Sequence, residues 1–272
     1  MKAIVNAAVC PLKAEPTWES TLVDEALYGM TVEILEESAP GWAKVRTHYR
    51  YEGYAPVEQL IAGDESAKVW EALPKRVVRN RNCCDILSRP KVQGWILQSL
   101  TRGAVVAVEG EAENGWQKTL LADGRGGYVQ SSILGEHYTS PCCTDEAELR
   151  RAIAEAAMLY QGTHYRWGGK SPLGIDCSGL ASMAYMLCGI LIYRDANIVE
   201  GFPIHEIPRE RMQTGDLLFF PGHVAVYLGN GRYCHSTGRA GDDGFTINSF
   251  NPNDSDFRAD LAERLTVVGS YF

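Results

Sequence analysis

Through the first half of the chain, apolar residues come in short alternating runs such as Thr31-Val32-Glu33-Ile34-Leu35, bounded by glycines and turn residues. A period of two over so few residues predicts short, half-buried strands. The period changes near residue 145. Leu149, Ile153, Ala156, Ala157 and Tyr160 recur at helical spacing behind a capping pair, Asp145 and Glu148. A second helix follows residue 177, where Leu180, Met183, Ala184 and Leu187 repeat at i, i+3, i+4 and i+7 and predict one apolar face. Strand patterns then return. Asp216-Leu217-Leu218-Phe219-Phe220 reads as a buried strand, two runs fold back about Gly229-Asn230-Gly231, and terminal strands fall near 244–250 and 264–271. Helices first and an antiparallel sheet after them form an α+β pattern.

The alternating first half repeats itself. Residues 29–60 and 103–134 align without a gap at an offset of 74, with Gly-Trp-x-Lys starting at Gly41 and Gly115 and Gly-Tyr at Gly53 and Gly127. Short strands with regular turn signals predict a small β-barrel for each copy. The stretch Asp64–Lys75 reads as the linker between them, ending near Leu73-Pro74. The predicted organisation is three domains, 1–63, 75–137 and 144–272.

Cys177 stands where a loop becomes a helix. Gly168-Gly169-Lys170-Ser171-Pro172-Leu173-Gly174 leads into Ile175-Asp176-Cys177-Ser178-Gly179. A thiol at a helix N-terminus feels the positive end of the peptide dipoles, which favours its thiolate, the nucleophilic form. A buried structural cysteine is the alternative. Two histidines weigh against it: His223 opens the first run of the hairpin and His235 lies in the returning run. A two-residue turn at Asn230-Gly231 would pair Val226 with His235 and set the histidines on opposite faces. A three-residue turn or a bulge pairs Ala225 with His235 instead and puts both on one face, about 7–8 Å apart at the backbone. The catalytic reading therefore demands an odd loop or a bulge. In that geometry His223 is the base for Cys177, and His235 fixes the tautomer of His223.

Composition narrows the partners. A chain of 272 residues with 45% apolar positions can build two or three cores. A net charge of −8 argues against nucleic acid or an anionic wall polymer as an electrostatic partner. The N-terminal apolar run is too short for a signal peptide and no run reaches membrane-spanning length, so a cytoplasmic protein without a membrane partner is expected, acting as a monomer. The eight cysteines include the adjacent pairs Cys83/Cys84 and Cys142/Cys143 but show neither a disulfide framework nor zinc spacing. A reduced compartment, no metal and no cofactor are expected.

Five separated motifs occur in order: Tyr165-Arg166-Trp167-Gly168-Gly169, Gly174-Ile175-Asp176-Cys177-Ser178-Gly179-Leu180, Gly215-Asp216-Leu217, Gly222-His223-Val224-Ala225-Val226-Tyr227-Leu228-Gly229 and His235-Ser236. They resemble those of the NlpC-type cell-wall cysteine peptidases, and the two Gly-Trp-x-Lys…Gly-Tyr copies resemble bacterial SH3-like domains. The whole is similar to γ-D-glutamyl-L-diamino acid endopeptidases of the YkfC type, which act in murein peptide recycling. The resemblance implies an α+β, papain-like cysteine peptidase domain preceded by two small SH3-like β-barrels. It implies hydrolysis of the bond between the γ-carboxyl of D-Glu and meso-diaminopimelate or L-Lys, in murein tripeptides or tetrapeptides with a free N-terminal L-Ala.

The same resemblance implies attack by Cys177, an oxyanion site made by the Cys177 N–H with the Tyr165 hydroxyl, and substrate contacts from Trp167, Asp176, Ser178 and Asp195. Asp176 serves equally well as a helix N-cap, and Tyr165 and Trp167 as core aromatics. In such relatives the first SH3-like domain reads the free amine, and a cation in a partly closed pocket needs an acidic partner. Glu19 is the first choice over Asp24 and Glu25, with Tyr51 and Tyr54 as further candidates; the repeat counterpart Tyr128 gives Tyr54 a structural reading as well. Ala196 and Asn197 stand where relatives often carry Ser and Gln, which leaves the diamino-acid end of the site open. A secreted hydrolase of intact peptidoglycan is the competing reading, which a signal sequence and basic wall-binding repeats would mark.

Overall fold

The alternating runs of the first half become two copies of one antiparallel sheet, in a computed structural model that describes all 272 residues. The first copy has seven strands in the spatial order Leu22–Leu27, Val9–Lys13, Glu52–Pro56, Trp42–Thr47, Thr31–Glu37, Lys2–Val5, Leu60–Ala62. The second repeats that order strand for strand, from Ile96–Thr101 at one end to Leu134–Glu136 at the other. The expected barrels are thus sheets whose ladders stay open. In the first copy the last strand has only three residues and runs straight into a helix, leaving no chain to complete a ring.

That helix, α1 (Asp64–Ala72), occupies the stretch read as a linker. Asp64 and Glu65 lie in its first turn, where the helix dipole favours negative charge. Ala67 and Trp70 are its buried residues, and the extended Leu73 ahead of Pro74 ends it. Trp70 Nε1 donates to the Gly29 carbonyl at 2.8 Å. Tyr28, from the first copy, is buried among Val78, Ile86, Leu100 and Val129 of the second, and its hydroxyl accepts from the Ala122 N–H at 2.7 Å. Shared burial of this kind makes Met1–His137 a single compact unit.

Within the second unit, Tyr138–Phe272, α2 (Glu146–Met158) is capped by Asp145, which accepts from the Glu148 N–H at 2.9 Å. The next helix, α3 (Cys177–Met186), differs from the single apolar face its sequence predicts. Every residue from Cys177 to Tyr185 is buried, because the helix packs against α2 and also against the strands His223–Gly229 and Arg232–Thr237. Six antiparallel strands follow in the order His205–Ile207, Val267–Ser270, Leu217–Phe220, His223–Gly229, Arg232–Thr237, Gly244–Ser249. The short α4 (Ala259–Arg264) precedes the last of these in sequence and carries no periodic signal; Leu261 is its one buried residue. Leu218, Phe220, Ala225, Tyr227, Tyr233, Leu261 and Val268 form a core.

Gly29 has φ +77°, and a Cβ there would meet the Val105 carbonyl oxygen at 2.0 Å; Gly41 has φ +82° with open space around it. Ala at Gly41 adds only left-handed strain, about 1 kcal/mol. Ala at Gly29 adds overpacking as well, for a total of about 2–4 kcal/mol. Denaturant titration of the two variants should show Gly29→Ala as clearly the less stable.

Candidate active site

A carboxylate sets the thiol at the start of α3. Asp176 is the N-cap residue, and its Oδ1 accepts from the Gly179 N–H at 2.6 Å. Its Oδ2 accepts from the Gly168 N–H at 2.8 Å, which ties the preceding glycine loop to the helix end. The guanidinium of Arg194, 1% exposed, closes the arrangement. Nη1 donates to Asp176 Oδ1 at 3.1 Å and to Ser178 Oγ at 2.8 Å, and Nη2 donates to Asp176 Oδ2 at 3.3 Å and to the Gly169 carbonyl at 3.2 Å. A Cβ at Gly179 would meet the Gly169 oxygen at 2.1 Å, so only glycine permits this approach. Cys177 is left as the first helical residue, and its N–H has no intrahelical acceptor.

The bulge that the histidine spacing demands is present. Asn230 and Gly231 form the turn, both with positive φ, 52° and 75°. The register then shifts between Tyr227 and Gly229, so that Tyr227 faces Tyr233 and Val226 faces Cys234. Both imidazoles thereby share a face: His223 Nε2 lies 2.7 Å from His235 Nδ1, with the rings inclined at 82°. His235 Nε2 in turn lies 2.8 Å from Asn248 Oδ1 on the strand Gly244–Ser249. The N–H of Val224, next to His223, is close enough to Cys177 to favour the ionised sulfur.

Burial works against the ionisation expected of a thiol at a helix N-terminus. Burial, followed by the neighbouring Asp176 carboxylate, pushes the Cys177 thiol up to about 11; the N–H groups of Val224 and Ser178 and the Arg194 charge pull the other way. Burial, with contributions from His235, Arg258 and Arg264, lowers His223 to about 3. Burial also lowers His235, helped by Arg258 and opposed by its bond to Asn248 and by Asp242 and Asp260. Burial thus moves the thiol up and the imidazole down, each toward its neutral form.

The sequence profile of the NlpC/P60 family matches residues 162–253, and that of the bacterial dipeptidyl-peptidase SH3 domain matches residues 12–60. A relative called dipeptidyl-peptidase 6, from Lysinibacillus sphaericus, is 44% identical over 275 residues that span the whole of both chains. The chain belongs to the NlpC/P60 family. Two further relatives align over less of their length. The gamma-D-glutamyl-L-lysine dipeptidyl-peptidase of Bacillus subtilis is 30% identical over 43% of each chain. The murein DD-endopeptidase MepH of Escherichia coli is 36% identical over 41% of this chain and 47% of its own. A crystal structure of an NlpC/P60 family protein from Bacillus cereus shares the fold, with a TM-score of 0.80 at 20% identity, covering 100% of this chain and 99% of the other.

Around this NlpC/P60 cysteine the remaining expected residues take different places. Tyr165 is close enough to Cys177 and Asp176 for their charges, after burial, to raise its phenol to about 12. Trp167 is 65% exposed, which removes it from any core. Asp176 and Ser178 bond one another and Arg194 inside the protein. Asp195 and Ser178 line a small pocket open to solvent, together with Tyr193, Asn197, Phe202 and Val224.

The candidates in the SH3-like unit are spread. Glu19 sits exposed on a turn bonded to Thr17, which holds its carboxyl below the usual range. Of the three carboxylates considered, the fold buries Asp24 and Glu25, and Tyr49 donates to Asp24 at 2.5 Å. Tyr51 follows a turn, its N–H bonded to Thr47 Oγ1 at 3.0 Å, and Tyr54 lies within a strand opposite Lys44. Two side chains of this arrangement have no role assigned from the sequence, Arg194 and Asn248. Arg194 lies in Tyr193-Arg194-Asp195-Ala196-Asn197, which resembles the family's Arg-Asp-x-x-Gln stretch, but that resemblance points to Asp195 as the groove residue. Asn248 occupies an ordinary strand position.

Removing the guanidinium in Arg194→Met should leave Asp176 buried and unpaired and cost about 3–5 kcal/mol, read as a lowered denaturation midpoint with loss of Cys177 reactivity. The two histidines give a second test. Their folded affinities for a proton lie below the unfolded value near 6.5, so the unfolded chain takes up protons that the folded site refuses. Their contribution is complete above pH 6.5 and is lost as the pH falls, for His223 toward about 3. Unfolding measured at pH 7.5, 5.5 and 4.5 should show that decline, and His223→Gln should make it shallower.

Proposed function

We propose that this NlpC/P60 peptidase hydrolyses the γ-D-glutamyl–L-diamino acid bond of short murein peptides with a free N-terminal L-Ala, releasing L-Ala-γ-D-Glu. The observation that carries this reading is the end-to-end similarity to a dipeptidyl-peptidase, SH3-like region included. An enzyme that removes a dipeptide must register a chain's N-terminus. The B. subtilis relative, similar over the peptidase region, is named for a γ-D-glutamyl-L-lysine bond. The net charge of −8 favours a small peptide over an anionic polymer as the substrate. Action on intact cell wall, toward which the E. coli endopeptidase name points, is the competing reading.

In the proposed reaction the Cys177 sulfur attacks the γ-carbonyl carbon while its proton passes to His223 Nδ1, the ring nitrogen that His235 does not engage. The carbonyl π pair moves to oxygen, held by the Cys177 N–H with the Tyr165 hydroxyl; one such donor is worth about 2.7–4 kcal/mol in the transition state. The C–N bond breaks as His223 returns the proton to the departing α-amine, leaving a thioester. Water then attacks, gives a proton to His223, and the thiol is released with the dipeptide acid. Asp195 and the cavity beside Ser178 are the proposed place for one end of the substrate.

The test uses three substrates: L-Ala-γ-D-Glu-diaminopimelate, its N-acetylated form and intact sacculus, with products identified by mass. Turnover of the first alone is expected, abolished by Cys177→Ala. Equal cleavage of the blocked peptide, or release of fragments from the sacculus, would reject the reading.

A further inference from the structure

The histidine pair does not end at His235. Asn248 joins it at 2.8 Å through Oδ1, and Asn248 Nδ2 donates at 2.9 Å to the backbone carbonyl of Asp256. That carbonyl also accepts the Ser249 N–H, at 3.3 Å. It belongs to the loop after the strand Gly244–Ser249, which returns alongside its own strand through a Ser249–Phe257 bridge. The loop is held to the histidine hairpin by an ion pair between Asp256 and Arg232. Asn248 is 5% exposed and His235 is 1% exposed, so neither can exchange its partner for solvent.

A backbone carbonyl carries no hydrogen, so the Asn248 atom facing Asp256 must be the NH₂ group, and the atom facing His235 must be the oxygen. An amide oxygen only accepts, so His235 carries its proton on Nε2. In a neutral imidazole the other nitrogen is then an acceptor, and His235 Nδ1 receives the Nε2–H of His223. The lone pair of His223 is thereby left on Nδ1. We propose that Asn248, locked by the Asp256 carbonyl, is a positioning residue that sets the tautomer of both histidines and keeps the basic nitrogen of His223 free for the thiol proton. The direction of the whole relay is fixed by one main-chain oxygen on a surface loop, two bonds beyond the second histidine. The proposal rests on the thiol-peptidase reading of this site but not on the identity of the peptide.

The test uses the full chain labelled with [¹⁵N]histidine. Long-range ¹H–¹⁵N spectra at pH 7.5 should show two of the six histidines, those missing in His223→Gln and His235→Gln, as fixed Nε2–H tautomers. A proton on His235 Nδ1 in the unaltered protein overturns the proposal without any variant. In Asn248→Leu the two signals should become tautomer mixtures, and the alkylation of Cys177 by iodoacetamide, followed by peptide mass, should slow. A positioned base supplies about 10²–10⁴-fold; loss of its alignment should lower kcat by roughly 10- to 100-fold with KM little changed. Asn248→Asp, which can still only accept from His235, should retain the Nε2–H signal. Unchanged tautomers and unchanged kcat in a folded Asn248→Leu protein would sink the proposal. Tautomers and alkylation are read without substrate, so they stand apart from the outcome of the peptide assay.

Discussion

The carboxylate of Asp176 is the constraint on which the active centre depends. One oxygen caps α3 and the other holds the glycine loop before it, while Arg194 neutralises the charge and reaches on to Ser178 and Gly169. A helix buried from Cys177 to Tyr185 cannot leave its first end groups to water, so a built-in partner is required there. The same residue raises the barrier to ionising its neighbour, because its negative charge lies beside the sulfur. The contact that makes the site rigid therefore also works against ionisation of the thiol.

That trade shapes the chemistry. A helix N-terminus offers a thiol at most a modest preference for negative charge, and the burial that makes α3 a core element works against it more strongly. Both members of the pair are pushed toward their neutral forms, the imidazole by the same lack of water. The order imposed by the second histidine and by Asn248 then matters more, since a neutral base must present its lone pair in the right direction before any attraction between ions can help.

The first half of the chain follows a different logic. Each repeat has buried residues of its own, and Tyr28 and Trp70 bind the copies into one unit, Tyr28 within the core of the second and Trp70 in a cluster with Ile4 and Ala107. Trp70 lies on a helix within the stretch that reads as a linker. Ala67 and Trp70, three apart, are too few to register as an amphipathic pattern, although they are the face that packs.

The sequence by itself determined the repeat, the α+β order of elements, the place of Cys177 at a helix start and the pairing of His223 with His235, because each is written in spacing along one segment or its copy. It even stated the demand for a bulge, since side chains on a strand alternate with an unforgiving period of two. Only the tertiary structure decided that α3 is buried on every side, that Arg194 answers Asp176, that Asn248 and a distant carbonyl stand behind the histidines, and that Asp24 and Glu25 rather than Glu19 are the buried carboxylates. Those are matters of which segments meet in space. Burial, the largest influence on the charges of this site, is a property of that meeting and leaves no period in the chain.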